Sequence, residues 1–353
     1  FDNSAMDGFA VRFSDVASAS AASPVALRVV ADLPAGSSLD PAFGTGEAVR
    51  IMTGAPLPAD ADTVVPFEAT AGGLTESLGT VRVREAPRHI GAHIRRRGED
   101  CAAGTELVPA GVDLGPLQLA AIAAANVATV TVSRRPRVAV IATGTELLAP
   151  GSELERGQIP ESNSLLLAAL ARSAGSDVIL QATVQDVDAD LRSAIADASA
   201  RDADAIITSG GVSAGAFEVV KTAVSEMTFV QVAMQPGRPQ GFAADPLMFG
   251  LPGNPVSAAV SFEVFVRPAL LAMQGRTRIH QRMLRLPAAV GWRSPRGRRQ
   301  YVPIVFTDDG VAPATERGSH RAGGLARAEG YAVVPAEVGE VAAGDIVDVM
   351  LVS

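Results

Sequence analysis

The 353-residue chain has little cysteine, little basic charge and no long apolar run, and each shortage excludes a class of protein. Its single cysteine, Cys101, cannot form an internal disulfide or a multi-cysteine metal site, which favours a reduced, cytoplasmic protein. Acidic residues outnumber Lys and Arg by 38 to 30, which argues against nucleic acid as a partner because phosphate backbones bind to basic faces. No apolar run reaches the roughly 18 residues of a membrane helix, so we expect no membrane partner.

Aromatic residues are also rare, at 4%, although 48% of the residues are apolar. The predicted cores are therefore built from Ala, Val, Leu and Ile, and wholesale disorder is excluded. The four histidines form no HExxH motif, so no zinc-peptidase centre is predicted. Because the chain opens at Phe1-Asp2-Asn3, inside a motif and without Met, we expect residues to precede it.

The texture of the sequence changes along the chain and predicts four regions. Residues 1–100 hold short β-branched runs between Gly and Pro turns, which is typical of a small β domain. Residues 101–135 contain an Ala-rich helix and a strand-like run at 127–132, and look like a connecting piece. Residues 136–277 alternate strands with helices, which predicts a parallel sheet covered on both faces. Residues 278–353 return to short strands, so the predicted fold class is multidomain α/β plus β.

Three predicted strands of the α/β region end in glycine turns, at 143–146, 209–213 and 251–255. Ligands of open α/β sheets bind beyond the carboxyl ends of the strands, where glycine lets the backbone approach an anion. In the third turn Asn254 can act as N-cap, with Pro255 and Ser257 in the first helical turn. A single such turn merely ends an element, but three at one sheet edge favour an anion site.

Charged side chains accompany these turns. Glu146, Glu161 and Glu218 lie near the same edge, and Mg²⁺ typically takes one or two carboxylates plus substrate phosphates. Each is, taken alone, more typical of a solvated or helix-terminal carboxylate. Arg238, in the turn 235–239, could hold an oxyanion with two hydrogen bonds, although the turn alone is not diagnostic. The run of three arginines at 95–97 is typical of a solvated face or an ion-pair partner.

An ordered set of motifs resembles the molybdopterin molybdenumtransferase (MoeA) family, which includes the E domain of gephyrin. The matching stretches are 2–11 (DNSAMDGFAV), 50–56 (RIMTGAP), 96–100 (RRGED), 143–147 (TGTEL), 209–213 (SGGVS) and 251–258 (LPGNPVSA). They follow the family's order from residue 1 to about 260, with a looser match to the end. One glycine turn would be weak support, whereas the ordered set is specific.

The resemblance implies an architecture and an activity. The four regions become an inserted β domain (1–100), a remnant of a linking domain (101–135), an α/β molybdopterin-binding domain (136–277) and a C-terminal β barrel (278–353). It implies a homodimer whose cleft lies between the α/β domain of one subunit and the inserted domain of the other. The implied reaction is Mg²⁺-dependent insertion of molybdate into adenylylated molybdopterin, with release of AMP, in molybdenum cofactor biosynthesis.

The resemblance also implies residue roles. Catalytic carboxylates would be Asp7 and Asp100 from the inserted domain and Glu146 and Glu218 from the α/β domain, the last two also as Mg²⁺ ligands. The substrate-binding residues would be Thr143, Gly144, Ser209, Gly210, Gly211, Ser213, Pro252, Gly253 and Asn254, together with Arg238, Pro239, Ser257 and Arg298 on the molybdate side.

Several positions depart from the family pattern and support an alternative. The family usually has Asp at the positions of Thr145 and Glu218, Lys-Pro-Gly-Lys-Pro at 235–239, and paired serines at Gly323-Gly324. These changes motivate a second hypothesis, a divergent pterin-binding or scaffold paralogue without efficient insertion. A third, a nucleotide-cleaving enzyme that shares only the α/β domain, is disfavoured by the motifs in the first 100 residues.

Overall fold

The computed structural model describes residues 1–75, 77–211, 220, 224–225, 227–314 and 322–352. These residues divide into two compact units. The first comprises Phe1–Leu107 and Ala121–Asn126, and the second comprises Val108–Ala120 and Val127–Ser353. The three glycine turns belong to the second unit, whereas Asp7 and Asp100 belong to the first.

The first unit is built on one six-stranded sheet in the order β5-β2-β4-β3-β7-β6, with a separate β1–β8 pair. Its elements are β1 Asn3–Ser4, β2 Gly8–Val11, α1 Phe13–Val16, β3 Val25–Leu33, β4 Glu47–Ile51, β5 Thr63–Pro66, β6 Thr70–Ala71, β7 Thr80–Val83 and β8 Ile94–Arg95, with a 3₁₀ turn at Phe67–Ala69. Strand β2 is buried along its whole length, and Phe9 on it packs edge-to-face on Phe67 at 5.3 Å. Asp7 immediately precedes this strand, so a well-packed core holds its backbone.

The connecting piece contains one helix, α2 (Pro116–Ala124), and none of its residues is buried. The strand expected at 127–132 does not form, and Val127, Val130 and Val132 are exposed. The sequence prediction is wrong here because a strand needs a neighbour to pair with, and no described strand lies beside this run.

The α/β part of the second unit holds a six-stranded sheet in the order β12-β9-β13-β17-β16-β14. Its elements are β9 Arg137–Thr143, β10 Leu147–Leu148, β11 Ile159–Pro160, α3 Asn163–Ser173, β12 Asp177–Val184, α4 Asp188–Ala200, β13 Ala205–Ser209, β14 Thr228–Gln231, β15 Met234–Gln235, β16 Pro239–Ala244, β17 Leu247–Leu251, α5 Pro255–Ser261, a π-helical turn Phe262–Val266 and α6 Arg267–Met273. The first four strands of the sheet are parallel, so their carboxyl ends meet at one edge.

Beyond these four strands, β16 pairs antiparallel with both β17 and β14, so the predicted parallel sheet carries two further strands at one edge. The sequence analysis missed β16. Only Asp245-Pro246 separates β16 from β17, and such a connection makes a hairpin because a parallel crossover needs a dozen or more residues.

Both faces of the parallel strands are covered, as the sequence predicted. Val138 and Val140 of β9 point into one apolar cluster with α3, while Ala139 and Ile141 point into another with α4. The continuous helix Pro255–Met273 is long and apolar enough to cross a bilayer by length and composition, but 61% of its most apolar window is buried within the protein. The helix begins at the edge where the parallel strands end, and its buried face packs in the core of the α/β part.

The rest of the second unit is a β barrel. Its elements are β18 Met283–Pro287, β19 Trp292–Arg293, β20 Arg299–Thr307, β21 Gly310–Pro313, β22 Gly330–Val334, β23 Glu340–Val341 and β24 Ile346–Leu351, with a 3₁₀ turn at Ala322–Arg327. The strands pair in the order β18-β24-β22-β20-β21, and a bridge between Ala288 and Val311 closes the ring. The barrel and the α/β sheet together confirm the predicted fold class.

Candidate active site

A cavity of about 800 Å³ lies at the carboxyl-terminal edge of the parallel strands. All three glycine turns contribute to its wall, as expected for an open α/β sheet. The predicted site residues that line it are Thr143, Glu146, Ser209, Gly210, Gly211, Pro239, Pro252, Gly253, Asn254 and Ser257. The three turns thus follow strands that are distant in sequence but end around the same cavity.

The second turn lies against both other turns, and its contact with Thr143 of the first turn leaves room only for glycine at position 210. Gly210 has φ +99°, and a Cβ there would lie 2.4 Å from the Thr143 carbonyl oxygen. A Cβ on Gly253 would lie 3.6 Å from the Cα of Gly210. The Gly210 amide donates to the Leu251 carbonyl at 3.1 Å, which joins the two turns.

Asn163, at the start of α3, holds the same two turns from the side. Its Nδ2 donates to Ser209 Oγ at 2.8 Å and to the Gly253 carbonyl at 2.6 Å. Its Oδ1 is buried without a hydrogen-bond partner among the described residues, as is Thr143 Oγ1. Both atoms have almost no accessible surface, so they lie within the wall rather than open to the cavity.

Glu161 lines the cavity but acts as a helix cap, so it is a poor candidate metal ligand. Its Oε1 accepts from the Ser164 amide at 2.7 Å and its Oε2 from the Ser164 hydroxyl at 2.6 Å. A negative charge at the N-terminus of α3 is favourable because the helix dipole is positive there. This capping explains why a buried carboxylate is tolerated.

Asp186, which the sequence analysis did not propose, also lines the cavity. It lies two residues beyond β12, a fourth parallel strand, so an acidic residue just after a strand was the available signal. Its amide donates to Thr145 Oγ1 at 3.3 Å, and the Gly144 amide donates to the Val184 carbonyl at 3.1 Å. Thr145, one of the departures from the family pattern, therefore connects the first turn to the loop that carries Asp186.

The carboxylates in the cavity wall meet the minimum requirement for a magnesium ion. Glu146 and Asp186 both line the cavity, although the described residues contain no group of three His, Cys, Asp or Glu side chains that could hold a metal. Mg²⁺ bound next to phosphates needs only one or two protein carboxylates. The predicted residues Ser213 and Glu218 lie outside the described residues.

Three predicted site residues of the second unit, Gly144, Arg238 and Arg298, do not line the cavity. A Cβ on Gly144 would lie within 3 Å of Leu147 and Glu146 side-chain atoms, so its neighbours in the turn cover it. The segments that carry the arginines meet where β15 pairs with β20, with Gln235 opposite Gln300. Since Pro239 does line the cavity, Arg238 is one residue away from its wall.

The first unit places Asp7 on an exposed turn fixed by Thr53, a residue the sequence analysis did not single out. Asp7 Oδ1 accepts from the Thr53 amide at 2.6 Å and from its hydroxyl at 2.8 Å, and these bonds lower the pKa of the Asp7 carboxyl below its usual value. Asp100 is also exposed. Arg96 makes an ion pair with Asp2 at 2.6 Å, which agrees with the ordinary interpretation of the arginine run.

Fold and cavity together define a multidomain protein whose α/β domain carries a cavity at the carboxyl-terminal edge of its parallel strands. Comparison with known families gives three matches: the MoeA N-terminal region (domain I and II) over residues 1–126, a probable molybdopterin binding domain over 139–272, and the MoeA C-terminal region (domain IV) over 285–352.

Full-length relatives agree. Molybdopterin molybdenumtransferase 2 of Mycobacterium tuberculosis is 46% identical over 98% of this chain and 87% of its own length. The molybdopterin molybdenumtransferase of Nostoc is 39% identical over 78% of this chain and 64% of its own length. The crystal structure of a molybdopterin biosynthesis MoeA protein from Pyrococcus horikoshii superposes with a TM-score of 0.85 at 26% identity, covering 100% of this chain and 88% of that one. The chain belongs to the molybdopterin molybdenumtransferase family, and the resemblance seen in the sequence is confirmed.

Proposed function

We propose that this chain is a transferase of molybdenum cofactor biosynthesis that inserts molybdate into adenylylated molybdopterin and releases AMP. The observation that carries the proposal is the cavity at the sheet edge, whose wall contains all three glycine turns and the first turn of the helix that begins at Pro255. The names of the relatives support the same reaction class.

The phosphates of the substrate would bind to the backbone of the turns. The helix that begins at Pro255 continues to Met273, and its N-terminal N–H groups and dipole favour an anion beside Asn254 and Ser257. Gly210 lets the second turn lie directly against the Thr143 carbonyl, and this close contact forms the part of the wall where the phosphates would bind. The protein then contributes by positioning and electrostatics, and no protein nucleophile is needed.

Magnesium, where bound, would be held by Glu146 and Asp186, joined by Glu218 if the resemblance extends to it. It would supply positive charge next to the phosphates. Release of AMP breaks the P–O bond between two phosphates, with an oxygen of water or molybdate forming the new P–O bond, and increases the negative charge in the cavity. The amides of the turns and the positive end of the helix stabilise that increase.

Molybdate would bind at the rim of the cavity, beside Arg238 and Arg298. Both are cationic, and the strand pairing of β15 with β20 brings their segments together next to Pro239. A guanidinium can donate two parallel hydrogen bonds to an oxyanion.

Asp7 and Asp100 would reach the reaction from a second subunit of a homodimer. The exposed apolar side chains of α2, such as Leu117 at 81% exposure, support an association surface. The free Cys101 fits a reducing compartment, which supports a cytoplasmic enzyme.

The test is to incubate the purified protein with adenylylated molybdopterin, Mg²⁺ and molybdate and to measure AMP. AMP release that rises with molybdate concentration supports insertion. Substrate binding without release at any molybdate concentration would instead favour the pterin-binding paralogue, for which the departures at 145, 218, 235 and 323–324 are the motive.

A further inference from the structure

Gln240, which has no assigned role, supports the turn that carries Arg238. It is the second residue of β16 and is 7% exposed. Its side-chain amide nitrogen, Nε2, donates to the Gly237 carbonyl at 2.6 Å and to Ser261 Oγ at 2.7 Å. One buried side chain therefore binds both the turn and the end of helix α5.

The turn has little freedom around these bonds. Gly237 has φ +92°, and a Cβ on it would lie 2.8 Å from Ser261 Oγ and 3.1 Å from Met234 Cε. The Val232 amide donates to the Arg238 carbonyl at 2.8 Å, which fixes the other side of the turn. The backbone at 237–238 is thus held at two points, one of which is the Gln240 amide.

The Arg238 side chain itself is exposed and makes no ion pair or hydrogen bond with the part of the chain that the structure describes. Nothing among those residues therefore orients its guanidinium except the backbone on which it stands. Ser261 is the last residue of α5, which begins at Pro255 in the cavity wall. The two residues are about 9 Å apart along the helix axis at 1.5 Å per residue. Gln240 consequently relates the position of Arg238 to the phosphate end of the cavity.

We propose that Gln240 is a positioning residue that, with Ser261, sets Arg238 at the distance molybdate needs from the bound pterin. The inference rests on the proposed function, because it assigns Arg238 to the molybdate side. Gln240 touches neither reactant and acts through the turn.

The test compares two variants with the same chemical change. Gln240→Met keeps the length of the side chain but removes both donated bonds. Gln274→Met is the control, because the Gln274 amide also donates to two acceptors, the carbonyls of Ala174 at 2.8 Å and Leu270 at 2.9 Å, away from the turn. We expect Gln240→Met to raise the KM for molybdate about tenfold, with kcat and the KM for adenylylated molybdopterin within about twofold. The control should leave all three unchanged.

A double-mutant cycle checks that the effect passes through Arg238. Adding Gln240→Met to Arg238→Ala should not raise the KM for molybdate further, because the guanidinium it positions is gone. Ser261→Ala, which removes only one bond, should give a smaller increase and covers the case in which Gln240→Met does not fold. An undiminished effect of Gln240→Met in the Arg238→Ala background would overturn the proposal.

Hydrogen exchange separates this proposal from the proposed function. The amides of Gly237 and Arg238 should exchange faster in Gln240→Met than in the wild type and the Gln274→Met control, whether or not the protein turns over. If the wild type releases no AMP, the insertion activity is lost while the exchange result still decides the role of Gln240. Unchanged exchange in this segment would show that Gln240 does not hold the turn.

Discussion

The cavity of the α/β domain and the Asp7 turn of the first unit offer a ligand different electrical surroundings. The cavity places the first turn of a long helix beside the carboxylates of Glu146 and Asp186, which could hold a cation next to a phosphate. The Asp7 turn presents an exposed carboxylate, held ionised by two hydrogen bonds from Thr53. The first can bind a phosphate in the ground state, whereas the second would repel one unless a cation or a developing positive charge lies between them.

This difference predicts different roles for the two regions in ligand binding and in turnover. Residues of the cavity should change both affinity and turnover when they are altered. Asp7 should change turnover far more than affinity, because only interactions that strengthen in the transition state raise kcat. The following changes test that division, from the largest expected effect to the smallest.

Gly210→Ala should nearly abolish AMP binding, by at least about 100-fold, and lower the free energy of unfolding by about 2–4 kcal/mol. The new Cβ would collide with the Thr143 carbonyl at 2.4 Å. Gly151→Ala is the control, since Gly151 also has positive φ but no atom within 4 Å of a Cβ. Calorimetric titration with AMP and chemical denaturation measure both effects, and equal losses in the two variants would contradict a steric role for Gly210.

Asp7→Asn should lower kcat for AMP release by about 100-fold while AMP affinity stays within about twofold. Asn can still accept both hydrogen bonds from Thr53, so the turn keeps its shape. Steady-state kinetics beside AMP titration make the comparison. If affinity and kcat fell together, the division between the two regions would be wrong.

Asn163→Ala should weaken AMP binding about tenfold and lower the free energy of unfolding by about 1–3 kcal/mol, because it leaves the Gly253 carbonyl unpaired. Ser152→Ala, on an exposed turn of the same unit, is the control. An Asn163 variant with lower stability but normal AMP affinity would make the residue structural only.

Thr53→Val should raise the pKa of Asp7 toward its ordinary value of 3.8, because it removes the hydroxyl bond but keeps the amide bond. Since the folded-state pKa is lowered, the stability this carboxylate contributes is present above 3.8 and is lost as pH falls through the folded-state pKa. Carbon-13 NMR of the Asp7 carboxyl from pH 2 to 6 measures the change. Asp32, whose pKa Arg50 lowers, should not move and serves as internal control.

The elements of the fold were largely predictable because their patterns are local. Alternating strands and helices at 136–277 and the turn residues at each strand end indicated the parallel strands and their common edge. Strand β16 was missed because its sequence, PQGFAA, lacks the β-branched residues that are typical of a strand. Whether a strand pairs parallel or antiparallel depends on connection length, which was visible only once β16 was recognised.

The site was predictable residue by residue but not as a shape. Glycine motifs identified the turns, yet only the folded sheet shows that Gly253 lies against Gly210 and that Asn163 holds both. Asp186 and Gln240 were missed because a single Asp after a strand, or a single Gln in one, is common in any sequence. Glu161 was proposed as a cavity carboxylate, and only its contacts with Ser164 show that it caps a helix.

The most direct measurement is a crystal structure of the protein with adenylylated molybdopterin bound. We expect its phosphate oxygens within about 3 Å of the main-chain amides of Gly211, Gly253 or Asn254. Phosphates bound elsewhere, with these turns empty, would contradict the account.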